Sequence, residues 1–315
     1  MTRRNTQRIH RLAFLAVCVL TVLGAATLGV SCGASTQGDG KKTTTVPTTE
    51  TPSTSSSLPP ISHPTGATEV VMRVSLSAGF VPVQVTLTRV PSFSLYGDGT
   101  VIVTGPIVLI YPGPALPNLQ AARISEDTVQ VVLREAQKVG LFANDIDYGQ
   151  PNITDLANTV IEIRAGGTTY HTSIYALGME EGASGLTPEQ QQARAAVDDF
   201  VAKLSDLSAF TREQITWSPY EFQALEVHAT PFDPEAWANA EIQPDLLRWP
   251  LEDPEVLGKP TDEPEGFRSF VVRGEDLAKL RPLLSEATQI TVWQWNDKQY
   301  NLYFRPLLPD ESATP

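Results

Sequence analysis

From Leu12 to Ser31 the chain reads LAFLAVCVLTVLGAATLGVS, 20 residues without a charge. Arg3, Arg4, Arg8 and Arg11 precede it, and no acidic residue occurs before Asp39. A run of this kind partitions into hydrocarbon, and its flanking arginines stay on the cytoplasmic side. It reads as a targeting segment spanning residues 1–31. The folded core must therefore be built from residues beyond Ser31.

Three fates are open to this segment: removal by an ordinary signal peptidase, retention as one spanning helix, or cleavage ahead of a lipidated cysteine. About 20 apolar residues suffice to span a bilayer. The sequence Gly29-Val30-Ser31-Cys32, followed by Gly33-Ala34-Ser35, resembles the bacterial lipoprotein processing box. That resemblance implies lipid attachment at Cys32, with buried acyl methylenes holding the protein to the membrane. In each of the last two cases the expected location is the extracytoplasmic face of the cell membrane, reached through an N-terminal lipid or helix.

The only cysteines are Cys18 and Cys32. The remainder of the chain therefore has no disulfide, no thiolate nucleophile and no Cys-based zinc site. It is long enough to bury a sufficient core without covalent staples. Residues 33–66 are dominated by Thr, Ser, Pro and Gly. Such a composition buries too little to offset its ordering entropy, and it predicts a disordered tether from residue 32 to residue 66. A second short disordered tail is predicted over residues 312–315.

Beyond residue 31, 19 Lys and Arg face 36 Asp and Glu, leaving a net charge of −17. No basic cluster remains, which argues against nucleic acid as a partner, because the phosphate contribution needs grouped positive charge.

The rest divides into two α+β units, residues 67–210 and 211–311, each expected as an antiparallel sheet with helices packed on one face. In the first, 69–76, 83–88, 93–96 and 100–104 read as strands, with Asp98-Gly99 turning a hairpin. A helix is expected over 125–139, capped by Ser125 and ended at Gly140. Strands 159–164 and 168–175 pair across Gly166-Gly167. A second helix opens at Thr187-Pro188 and runs to about Leu207. In the second unit, 221–229 and 267–273 read as strands and 234–240 as a short helix. A helix over 274–285 comes next, which Pro282 is expected to kink or shorten. Strands 289–295 and 299–305 form a hairpin.

The combination FSLYGDGTVIV, a helix ending in Gly140-Leu141-Phe142, and Asp147…Ile153-Thr154-Asp155…Thr159 ahead of a Gly-Gly hairpin resembles a family of uncharacterised bacterial extracytoplasmic domains, often lipoproteins. The likeness covers residues ~70 to ~208. It implies the same fold and brings no activity. The ending Tyr303-Phe304-Arg305-Pro306-Leu307-Leu308-Pro309-Asp310-Glu311, with Trp249-Pro250-Leu251 upstream, is similar to the tail of other uncharacterised actinobacterial secreted proteins. It too implies no function.

Candidate chemistry is sparse. His171 and His228 lie on expected strands, and His63 lies in the tether. Gly182-Ala183-Ser184-Gly185 departs from a nucleophile elbow because Leu186 replaces the second elbow glycine. Asn144-Asp145-Ile146-Asp147-Tyr148-Gly149 resembles part of a calcium loop, but counted from Asp145 the glycine falls one place early and the twelfth position is Leu156 in place of Glu. Asp98 reads as a turn residue. Asp198 and Asp199 are adjacent on a helix and face different directions. No catalytic residue, metal ligand set or cofactor motif is assigned.

All five tryptophans, Trp217, Trp237, Trp249, Trp293 and Trp295, lie in the second unit. Trp293 and Trp295 are two apart on a strand and share a face. Together with Trp249 they form a candidate aromatic platform for a glycan or an envelope protein. The competing reading places them on the core face of the sheet. Two functions are compatible with these features: a non-catalytic binding or structural envelope module, which the sequence favours, and an extracytoplasmic hydrolase with a dispersed Asp/Glu/His site.

Overall fold

The computed structural model describes residues 59–312, apart from residues 78, 180, 181, 183 and 263. Cys32, the leader and most of the expected tether fall outside the described residues. The described residues cluster as one compact unit.

In chain order the first part comprises β1 (Val70–Ser77), α1 (Val83–Leu87), β2 (Phe93–Tyr96), β3 (Thr100–Thr104), β4 (Leu119–Arg123), α2 (Glu126–Lys138), β5 (Asn158–Ala165), β6 (Thr168–Tyr175), α3 (Pro188–Leu204), α4 (Leu207–Thr211) and β7 (Ser218–Pro219). Its seven strands form an antiparallel sheet in the order β6-β5-β1-β2-β3-β4-β7. Met72, Val74, Leu95, Ile161 and Ile163 meet Val129, Val132 and Leu133 of α2, and Val197, Phe200 and Leu204 of α3, in one core. Alternation along β5 and the i, i+3, i+4 spacing in α2 put these side chains on facing surfaces.

The helix ends obey their sequences. The Ser125 hydroxyl accepts from the Thr128 N–H at 3.3 Å, and Thr187 and Gln190 form a reciprocal capping box. In the LYGDGT hairpin the two glycines answer different demands. Gly99 sits at φ +84°, in the left-handed region that favours glycine. At Gly97 a Cβ would lie 2.6 Å from the Pro64 carbonyl oxygen, so the close approach of residues 64–66 excludes one.

The second part comprises β8 (Ala224–Pro231), a 3-10 turn (Glu235–Trp237), β9 (Leu246–Arg248), α5 (Pro254–Leu257), β10 (Lys259–Pro260), β11 (Arg268–Arg273), α6 (Gly274–Glu286), β12 (Val292–Trp295), β13 (Lys298–Pro306) and α7 (Pro309–Ser312). Its sheet runs β10-β11-β8-β13-β12-β9. All its pairs are antiparallel except β12 with β9. Leu277, Leu280 and Leu284 of α6 pack on Leu225, Val227, Trp293, Leu302 and Phe304. The α+β class and the helix-on-sheet layering are as the sequence implies.

Three expectations are corrected. Residues 83–88 are expected as a strand from their alternation, yet Val83–Leu87 form the helix α1, with no buried residue. β1 pairs with β2 on one side and β5 on the other, so the intervening segment finds no free edge beside it. Of the two outcomes expected at Pro282, shortening is overturned: α6 continues past it to Glu286. Residues 59–63, assigned by composition to the tether, lie along α2: the Gln130 amide bonds both the Ile61 N–H and the Ile61 carbonyl, and Arg134 donates to the Pro59 carbonyl.

The two sheets are linked by the tail after β13. Leu308 packs with Val70, Tyr96, Ile102 and Leu119 in a small core of the first sheet. Asp310 accepts from the Arg73 guanidinium at 2.7 Å and from the Tyr96 hydroxyl at 2.8 Å.

Candidate functional site

The tryptophans reach a mixed outcome. Trp293 is fully buried and Trp249 is 2% exposed. Their rings meet edge to face at 5.7 Å, and Trp293 also meets Phe304 at 5.5 Å. These two indoles are core, so the three-ring platform is corrected: neither presents a face to solvent, because α6 closes over the strand face that carries Trp293, and Trp249, just past β9, packs against that ring. Trp217 and Trp237 lie apart from this cluster, Trp217 packing against the first core.

Trp295 differs. It ends β12 and stays half-buried at the margin of the same core, beside Leu283 of α6. Its indole lines a groove of about 450 Å³ with Arg248, Trp249, Pro250, Leu251, Leu283 and Asn296. The parallel pairing of β9 with β12 brings Arg248 opposite Gln294 and so delivers Arg248 to the rim. Asn296 starts the two-residue turn into β13 at φ +52°, a left-handed conformation that Asn tolerates better than most residues. The Trp249 N–H bonds the Gln294 carbonyl, and its indole N–H donates to the Glu252 carbonyl at 2.8 Å. The floor is thus fixed at both ends.

Next in the chain, Asp253 caps α5 by accepting from the Glu255 N–H at 3.0 Å. It also accepts from the Tyr300 hydroxyl at 2.6 Å and from the Lys298 ammonium at 2.9 Å. Burial opposes its charge, yet the Tyr300 hydroxyl and the Lys298 ammonium hold its carboxyl below the ordinary range. Burial, as the larger cause, and this carboxylate together push the Tyr300 hydroxyl upward. The cluster locks the segment 249–255 against the β12–β13 hairpin.

The remaining sequence candidates are dispersed. His228 is buried on β8, its Nε2 3.7 Å from the Glu226 carboxylate, beyond hydrogen-bond range. His171 is exposed on β6, in the other sheet, and neither imidazole lines the groove. Asn144 accepts from the His171 backbone N–H, while Asp147 accepts from the Gly149 N–H and the Gln190 amide. Asp98 accepts from the Thr100 N–H and pairs with Arg123. Ser184 offers its carbonyl to the Asn152 N–H, and Ala183 lies outside the described residues.

Sequence reasoning missed Arg248, Asn296 and Leu283 as groove residues. The Trp249-Pro250-Leu251 triplet held a partial signal, but Leu283 reaches the groove only through the packing of α6. No protein-family model, curated protein or solved structure matches this chain.

Proposed function

We propose that this protein is an extracytoplasmic lipoprotein, tethered to the cell membrane through Cys32, whose body is a non-catalytic binding module of the cell envelope. The groove at Trp295 is its binding site and an envelope glycan its ligand. One observation carries the reading: the half-buried Trp295 indole stands beside an exposed guanidinium and an exposed amide, backed by the sealed and fixed Trp249. A sugar ring stacks on an indole face while Arg and Asn side chains bond its hydroxyls. The volume falls in the range of small-ligand sites, ~300–1,000 Å³. Among the described residues lining the groove, Arg248 alone is charged, which favours ligands with acidic substituents over basic ones.

The test is titration of the full-length protein with soluble envelope glycan fragments, monitored by Trp fluorescence and calorimetry. Saturable binding is expected, weakened at least about tenfold by Trp295→Ala, on the scale of one lost aromatic anchor. Binding unaffected by Trp295→Ala, Arg248→Ala and Asn296→Ala would reject this site. Turnover of the fragments would favour the hydrolase reading. The tether is tested separately, by mass spectrometry of the N-terminal peptide for acyl groups on Cys32.

A further inference from the structure

Two loops at one end of the first sheet present large apolar side chains to solvent. The first follows β1, where Phe80 is 89% exposed and Val83 and Val85 are also open. The second follows β3, where Ile107, Val108, Leu109, Ile110 and Tyr111 are all exposed and Leu109 reaches 99%. β1 and β3 are separated only by β2, so the strand ends lie roughly 10 Å apart. Both strands end at the same edge of the sheet, because Val74 pairs with Phe93 and Phe93 with Val103. The charge pattern matches: no Asp, Glu, Lys or Arg occurs from Val74 to Thr88 or from Thr100 to Ala122, in a chain that is otherwise strongly acidic.

A soluble surface rarely keeps five consecutive large apolar residues exposed without a partner. The base of the second loop is held: Ala115 and Gln289 donate backbone bonds to the carbonyls of Ala287 and Gly113. The apex therefore projects from an anchored stem. A protruding apolar loop with a tyrosine at its foot suits the boundary between headgroups and acyl chains, where an amphipathic ring is favoured. The distance is also permissive. Between Cys32 and Pro59 a fully extended chain reaches at most roughly 90–100 Å, so a body held at Cys32 stays beside the bilayer. Tethering keeps these loops at high effective concentration near that surface.

We propose that this end of the first sheet docks on the bilayer surface, with Ile107–Tyr111 and Phe80 entering the interface. The proposal rests on the reading that the N-terminus holds the protein to a membrane. Its chemistry is that of a zwitterionic lipid surface, since a body of net −17 beyond residue 31 gains nothing from anionic headgroups.

The test places a reporter indole at each end of the sheet. Full-length Leu109→Trp and Thr168→Trp proteins are reconstituted through their N-termini in phosphatidylcholine vesicles with or without brominated acyl chains. Both positions are exposed, so neither substitution disturbs the core. The expected result is bromine quenching of the added indole at 109 at least twofold above that at 168, where the turn between β5 and β6 marks the opposite end. Equal quenching at both positions, with the protein floating on the vesicles, would overturn the docking alone. Shielding of the 109 indole from acrylamide without bromine quenching would also overturn it, in favour of a second copy or another protein. A protein that fails to float would overturn the tether and the docking together.

Discussion

Arg73 of β1 and Asp310 of α7 are 237 positions apart and meet at 2.7 Å, with the Tyr96 hydroxyl completing the cluster. Both side chains are about one-fifth exposed, so the pair is less screened than a surface ion pair. Asp310→Asn is expected to cost ~1.5–3 kcal/mol, the scale of lost hydrogen bonds to a charged group. Denaturant titration should show a lower midpoint with an unchanged slope.

That pair also gives a pH signature. Burial opposes the charge on Asp310, but Arg73 and Tyr96 hold its carboxyl below the ordinary range. A carboxylate depressed in the folded state stabilises above its unfolded value, about 3.9, and this is lost as pH falls through the lower folded value. Tyr220 behaves oppositely. Burial, with Glu311 and Asp310 nearby, pushes it up to about 12. Its contribution is complete below about 10 and disappears as pH rises from there towards about 12. Melting temperatures should fall at both extremes, and Asp310→Asn should flatten chiefly the acid limb, since burial and Glu311 still raise Tyr220.

Arg194 of α3 is fully buried, with its guanidinium donating to the carbonyls of Tyr148, Tyr175 and Ala176. Arg194→Met retains the apolar stem but strands those acceptors. At ~1–3 kcal/mol for a stranded buried group, an overall loss of about 3 kcal/mol is expected. It should coincide with faster amide exchange in residues 146–149 and 175–178.

Trp293 and Trp295 should separate stability from binding. Trp293→Ala removes a core ring and is expected to cost ~3–5 kcal/mol. Trp295→Ala should cost under ~1.5 kcal/mol, because its indole is only half-buried and loses less apolar burial, while weakening the proposed ligand response. Parallel melts and titrations of the two variants decide this. Equal destabilisation would mean that Trp295 is structural.

His228 makes an unusual prediction. Both its ring nitrogens are buried with no hydrogen-bond partner among the described residues. Removing an unsatisfied buried polar group in favour of an apolar one of similar shape is close to neutral or stabilising. His228→Phe should therefore leave the melting temperature unchanged or higher. A loss above ~1.5 kcal/mol, the upper end of a typical net hydrogen bond, would show that the imidazole has a role in the fold.

Most of the architecture was legible because its signals are local. Ser125, Thr187-Pro188, Asp98-Gly99 and Gly166-Gly167 mark ends and turns by their own chemistry, and α2, α3 and β5 carry clear periodicity. α1 was misread because alternation over a short segment says nothing about whether a sheet edge is free. Trp293 and Trp295 share a strand face, yet one is sealed and the other is open. The distinction depends on how closely the neighbouring elements pack over each ring, which no spacing along β12 encodes. Arg248 joins Trp295 through β9, a three-residue strand with no turn signal of its own.

The placement of Leu308 against the first sheet bears on the order in which the molecule is made. β1 to β4 are synthesised early, but Leu308, the buried residue that completes the cluster on their second surface, comes after every other strand. The first sheet can cover its helix-bearing surface during synthesis, whereas the opposite one waits for the segment after β13. A chain interrupted before residue 306 would leave Val70, Tyr96 and Ile102 without the cover of Leu308, an apolar surface open to proteolysis until the segment after β13 arrives.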